Sequence, residues 1–111
     1  MVKQGAIYLV NFNPSKGTEA GKIRPALVVQ TDLLNRLDHP SVLVLPLTTQ
    51  LSNSDNVLRF RITQREELMQ DSDIMLDQMR AIDQRRFCSQ AIAHISDEEC
   101  LQIKSMFCRL L

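Results

Sequence analysis

The sequence predicts a mainly β (α+β) domain: a small SH3-like antiparallel barrel, partly open, with a packed C-terminal helix. Three observations predict it. Short apolar runs rich in β-formers recur between turn residues, as in "IYLVNF", "PALVVQ" and "SVLVLPL". One segment, "VLRFRI", alternates with period two. The last segment switches to helical spacing behind the N-terminal signature "SDEE".

Taken in order, residues 7–12 read as a strand. "NPSKGTEAGK" (residues 13–22) carries Pro14, Gly17 and Gly21 and reads as a long loop. A second strand covers residues 25–30. "DLLNRL" reads as a short helix capped by Thr31 or Asp32. Residues 41–47 form a third strand, in which Pro46 points to an edge or a bulge, because proline cannot donate to a ladder. In residues 57–62, Leu58, Phe60 and Ile62 face the core while Arg59 and Arg61 face outward. "SDIMLDQM" (residues 72–79) and "RRFCSQAIAHI" (residues 85–95) read as two further strands. In the final helix Ser96 and Glu99 form a capping box, and Cys100, Ile103, Phe107 and Leu110 share a face.

The 111 residues suit one domain, 1–111, and 44% hydrophobic residues supply a core without staples. No apolar stretch approaches the roughly 20 residues of a membrane span. The N-terminus lacks a signal-peptide cleavage pattern, so a cytoplasmic protein is expected. Cys88, Cys100 and Cys108 make no disulfide framework or CxxC pair, and His39 and His94 are far apart, so no metal or other cofactor is expected. The cysteines read as small buried or half-buried apolar residues. Net charge is zero, which argues against a non-specific nucleic-acid coat. The balance is nevertheless uneven: eight Lys/Arg face five Asp/Glu in residues 1–66, and five face eight in residues 67–111.

Candidate functional residues cluster at strand ends. Pro25 keeps Arg24 extended, so its guanidinium projects in a defined direction from the strand mouth. There it either binds a phosphate through two parallel hydrogen bonds or forms a structural ion pair with Glu19 or Asp77. Thr48, Thr49 and Gln50 follow a strand; their polar groups either close a turn or reach a phosphate oxygen. "LDQMRAID" supplies Asp77, Gln78 and Arg80. Asp77 and Arg80, an odd number apart, face opposite sides unless the strand bulges or ends between them.

Together, "GAIYLVNFNPSKGTEAGKIRPALVV", "LPLTTQ" and "LDQMRAID" resemble, in order and spacing from Gly5 to Asp83, the MazF/PemK family of toxins from type II toxin–antitoxin systems. The resemblance implies a dimeric barrel-like fold and a metal-independent endoribonuclease that cuts single-stranded RNA at short sequences. It places Arg24 and Thr48 at the catalytic positions. Glu19 falls where some members carry a functional glutamate, and Asp77 matches an aspartate proposed as a base in a PemK-type branch. That branch has an arginine two residues before the aspartate and a histidine in the long loop; here Met75 and Thr18 stand there, and Ala6 replaces the usual acidic residue after the first glycine. Glu19, Thr49, Gln50, Asp77, Gln78 and Arg80 are the candidate substrate-binding residues.

The expected chemistry is attack by the RNA 2′-hydroxyl, giving a 2′,3′-cyclic phosphate and a 5′-hydroxyl. Base recognition falls to loop residues 13–22 and 48–56; Gln50 and Gln78 either hydrogen-bond base edges or are solvated amides, and Asn53 reads better as a solvated loop amide. The resemblance also implies a homodimer and a cognate antitoxin whose acidic, disordered tail covers the RNA groove. Arg59, Arg61 and Arg65 offer charge for that tail, or form a solvated strand face. The alternative function is a non-catalytic toxin or binding module on the same barrel, as in the CcdB-type gyrase poisons.

Overall fold

Apolar runs that do not alternate need cover on both faces, and the three longest such runs become the middle of one sheet. The computed structural model describes residues 2–14, 17, 22–53 and 55–111. The strands are β1 (Ala6–Asn11), β2 (Ile23–Val28), β3 (Ser41–Thr48), β4 (Arg59–Ile62), β5 (Ser72–Met75), β6 (Arg80–Asp83) and β7 (Ala93–His94). Two helices accompany them, α1 (Asp32–Arg36) and α2 (Asp97–Cys108). The sheet order is β4-β5-β3-β2-β1-β7, with β6 also paired to β3, and every pairing is antiparallel.

The parity of each central strand divides its side chains between two cores. Ile7, Leu27, Leu45 and Leu47 join one, together with Ile62 of β4, Ala93 of β7 and Ile103 of α2. Tyr8, Val10, Ala26, Val28, Val42 and Val44 join the other, with Phe12 and Ile82. Since β4 and β7 lie at opposite ends of the sheet order yet feed one core, the sheet is curled into the predicted partly open barrel.

Two predicted strands are interrupted, each by a three-residue excess. Leu47 pairs with Ile74 and Val44 with Arg80, so Leu45 and Pro46 of β3 face the five residues 75–79. The surplus coils into a single 3-10 turn, Leu76–Gln78, pinned where the Leu76 amide donates to Leu58 O (2.9 Å). Residues 72–79 are therefore not one strand. Of the two expectations for Pro46 the bulge holds and the edge does not: it pairs with Ala26 of β2 and falls opposite this turn, where β3 has no strand partner on that side.

Residues 85–95 behave alike. Val10 bridges Phe87 and Ile7 pairs with Ala93, leaving three surplus residues on the second strand. Only Ala93–His94 stays regular, and the Ser89 hydroxyl accepts from the Leu9 amide (3.0 Å) in place of a ladder carbonyl.

The helix ends follow the sequence. Thr31 caps α1, accepting from the Leu33 amide. The Ser96 hydroxyl accepts from the Glu99 amide (3.1 Å), and the Glu99 carboxylate accepts from the Ser96 amide (2.8 Å). Arg65 then donates to both Glu99 oxygens. The apolar face of α2 is only partly covered: Ile103 is buried and Cys100 and Phe107 are half-buried, whereas Leu110 lies beyond the end of the helix at Cys108 and is 38% exposed. Cys88 and Cys108 are exposed rather than buried; Cys100 alone is half-buried. Among the described residues no helix is long and apolar enough to cross a membrane.

Removing the cap by Ser96→Ala should cost about 1 kcal/mol and lower the thermal midpoint by about 4 °C. The Arg65 guanidinium, aided by the Ser96 bonds and opposed by burial, holds the Glu99 carboxyl below the usual range. Its contribution is therefore complete at neutral pH and is lost as pH falls through the folded-state pKa. Denaturant titrations should show Glu99→Gln less stable than the native chain at pH 7, with the gap closing below about pH 4.

Candidate active site

The register of the central strands decides where Arg24 and Thr48 meet. Ala26 pairs with Pro46 and Val28 with Val44. Continuing that register two residues along each strand brings Arg24 level with Thr48. Both have the same parity as the residues of the second core, so both project from the same face of the sheet. They line one cleft of about 590 Å³. Arg24 is half-buried, and its Nη1 donates to Leu47 O, the carbonyl just before Thr48 (3.3 Å). This burial draws its pKa below the ordinary arginine value. The Thr48 Oγ1 accepts from the Gln50 amide (3.1 Å), which leaves its proton to point elsewhere.

Lys22 and Arg59 add two more cations to the lining, and the described lining contains no carboxylate, imidazole or thiolate. Such a surface attracts an anion. Lys22 turns the chain into β2 in the left-handed region (φ +71°), where its amide donates to Asn13 Oδ1 (2.9 Å) and its carbonyl accepts from the Phe12 amide (2.8 Å). Thr49, Gln50 and Leu51 form an exposed wall. The 3-10 turn opposite Pro46 delivers Gln78 to the other side, beside Met75.

The remaining candidates are distributed elsewhere. Arg80 pairs with Val44, four residues and roughly 13 Å along β3 from Thr48. Its guanidinium lies over the Phe12 ring, 5.4 Å from the centroid, outside the cleft lining. Asp77 is exposed and faces a separate depression shared with Leu58, Met79, Phe107 and Leu110. Asp77 and Arg80 part company because the strand ends between them, Asp77 in the 3-10 turn and Arg80 on β6, and not through strand parity. Asn53 is exposed and also lies outside the lining, and Glu19 and Thr18 lie outside the described residues. Of the three outward arginines, Arg61 pairs with Asp73 and Arg65 with Glu99, whereas Arg59 reaches the cleft. Lys22 escapes sequence reasoning because nothing local to it marks a cleft, and the same holds for Met75.

The family model for the PemK-like, MazF-like toxins of type II toxin–antitoxin systems matches residues 3–111. The chain belongs to this toxin family. It is 36% identical over 110 residues to the endoribonuclease EndoA of Bacillus subtilis, covering 93% of both chains. The toxin's fold is likewise similar to MazF from Deinococcus radiodurans (TM-score 0.80, 19% identity, 98% of this chain and 94% of that one). It also resembles a mycobacterial endoribonuclease solved in complex with its cognate antitoxin (TM-score 0.76, 13% identity, 98% and 93%). These likenesses run over nearly the whole toxin, so the strands carrying Arg24 and Thr48 belong to the shared architecture.

Proposed function

We propose that this toxin is a sequence-specific endoribonuclease that cleaves single-stranded RNA, with Arg24 and Thr48 as its catalytic residues. The observation that carries the reading is the meeting of these two side chains in one cleft that holds three cations and no carboxylate among its described lining. The 36% identity to EndoA, itself an endoribonuclease, supports the activity.

In the proposed reaction the 2′-oxygen bonds to phosphorus while the bond to the leaving 5′-oxygen breaks. The proton released from the 2′-oxygen ends on the 5′-oxygen. The products are a 2′,3′-cyclic phosphate and a 5′-hydroxyl. The protein's part is to hold the 2′-hydroxyl in line and to stabilise charge on the non-bridging oxygens. Arg24 supplies a cation fixed by Pro25 and by its bond to Leu47 O. Its lowered pKa eases proton donation to the leaving oxygen by way of the phosphate, while at neutral pH the guanidinium remains charged. Thr48 supplies a hydroxyl donor.

Thr49, Gln50 and Gln78 present hydrogen-bonding groups to base edges; the described lining contains no aromatic ring for stacking. Lys22 and Arg59 take flanking phosphates, and Arg80 takes a more distant one. The cytoplasm is the proposed location. The proposed partners are a homodimer and an antitoxin whose acidic segment occupies the cleft. A half-exposed apolar depression between Leu43, Leu45, Met79, Ile103 and Phe107 supports the dimer, and a chain that sediments as a monomer at micromolar concentration contradicts it.

In EDTA, the native toxin should cut a long RNA to 5′-hydroxyl fragments. Arg24→Ala and Thr48→Val should each lose on the order of 10²–10³ in rate. A substrate with a single 2′-deoxy nucleotide 5′ to the cut should resist at that bond alone. Cleavage of the deoxy bond, or undiminished cleavage by Arg24→Ala, would overturn the mechanism.

A further inference from the structure

Beside the cleft, a lateral row of side chains crosses three strands. Thr48 of β3 pairs with Asp73 of β5, and Asp73 pairs with Arg61 of β4. Cross-strand neighbours of this kind share a face at about 5 Å, so Asp73 stands next to Thr48. It is 1% exposed, which is exceptional for a carboxylate. It does not line the cleft. Its Oδ1 accepts from Arg61 Nε (2.7 Å), and its Oδ2 accepts from both the amide (2.7 Å) and the hydroxyl (3.0 Å) of Ser52. The same Arg61 donates through Nη2 to the Ser52 carbonyl.

Ser52 is therefore gripped at all three of its hydrogen-bonding groups by one ion pair, buried at its Asp73 end. The residues between Thr48 and Ser52 have little else to hold them. Residues 49–51 are exposed, and the Gln50 amide donates to Thr48 Oγ1. That last bond orients the Thr48 hydroxyl. Fixing Ser52 therefore fixes the far end of a short bridge whose near end is the proposed catalytic threonine.

We propose that Asp73 and Arg61 are positioning residues, which clamp Ser52 so that the 49–51 wall and the Thr48 hydroxyl are set before RNA arrives. The inference rests on the nuclease reading of the same cleft. A wall held in advance spares the complex the ordering of an exposed segment, and displacement of a catalytic group by about 1 Å is enough to cost on the order of 10²-fold. The pair also keeps the Asp73 charge from repelling phosphate, since Arg61 neutralises it.

The test compares single-turnover and steady-state RNA cleavage by the native toxin, Arg61→Ala and Arg61→Lys, with amide hydrogen exchange on each protein. Arg61 is chosen because its side chain is 41% exposed, so its removal opens no cavity in the core. Arg61→Ala should lower kcat by roughly 10–100-fold with KM within about threefold, and Arg61→Lys should recover part of the loss. The Ser52 amide should exchange as slowly as strand amides in the native toxin and fast in Arg61→Ala. An unchanged kcat, or a loss confined to KM and erased by salt, overturns the proposal; the latter would make Arg61 an RNA contact. Should Arg61→Ala fail to fold, the native exchange rate decides: a Ser52 amide as labile as an exposed loop amide overturns the clamp. Should the native toxin not cut RNA, the nuclease reading fails, while Ser52 protection still tests the clamp.

Discussion

The antiparallel register between β2 and β3 is the constraint on which the rest of the molecule depends. It is held by burial on both faces: Leu27 and Leu45 go to one core, and Ala26, Val28 and Val44 to the other. A slip of one residue would send every one of these side chains to the wrong side. The two cores take side chains of different size, so a slip would overpack one and leave voids in the other. The same register carries Arg24 and Thr48 past the end of the paired segment on one face. The packing of the core thereby determines the geometry of the cleft.

The second feature is what the sheet does with surplus chain. Three extra residues opposite Leu45 and Pro46 coil into the 3-10 turn that presents Gln78 to the cleft. Bulges of this kind re-aim side chains beside functional sites. A proline sits opposite the turn without loss, because no strand on that side requires its amide hydrogen. On the far edge the same excess falls at Ser89, whose hydroxyl replaces a carbonyl in the ladder with β1.

Much of this was legible in the residues. Local chemistry wrote the helix ends directly: Thr31 and the Ser96–Glu99 box form the bonds that their spacing implies. Unalternating apolar runs located the central strands, and Pro25 fixed the extended state of Arg24. Long-range properties were not legible. Residues 72–79 and 85–95 look continuous because the excess appears only when counted against β3 and β1. Helical spacing groups Cys100, Ile103, Phe107 and Leu110 without telling that the helix stops at Cys108, short of Leu110. Nothing local singles out Asp73 within residues 72–79; its partner lies 12 residues earlier and is revealed by pairing alone. An acid in an otherwise apolar strand, facing a strand with alternating arginines, is the signal that could have found it. Family resemblance, not spacing, singled out Thr48.

Electrostatics ties these parts together. Cations gather in the cleft, while Asp73, paired across the strands with Thr48, is engaged by Arg61 and Ser52. The central claim is that Arg24 and Thr48 address one phosphodiester. The most direct measurement is a crystal structure of the native toxin bound to an uncleavable RNA carrying a 2′-deoxy nucleotide at the cut. The account predicts the scissile phosphate within hydrogen-bond distance of both the Arg24 guanidinium and the Thr48 hydroxyl. A scissile phosphate seated elsewhere, with either side chain out of reach, would contradict it.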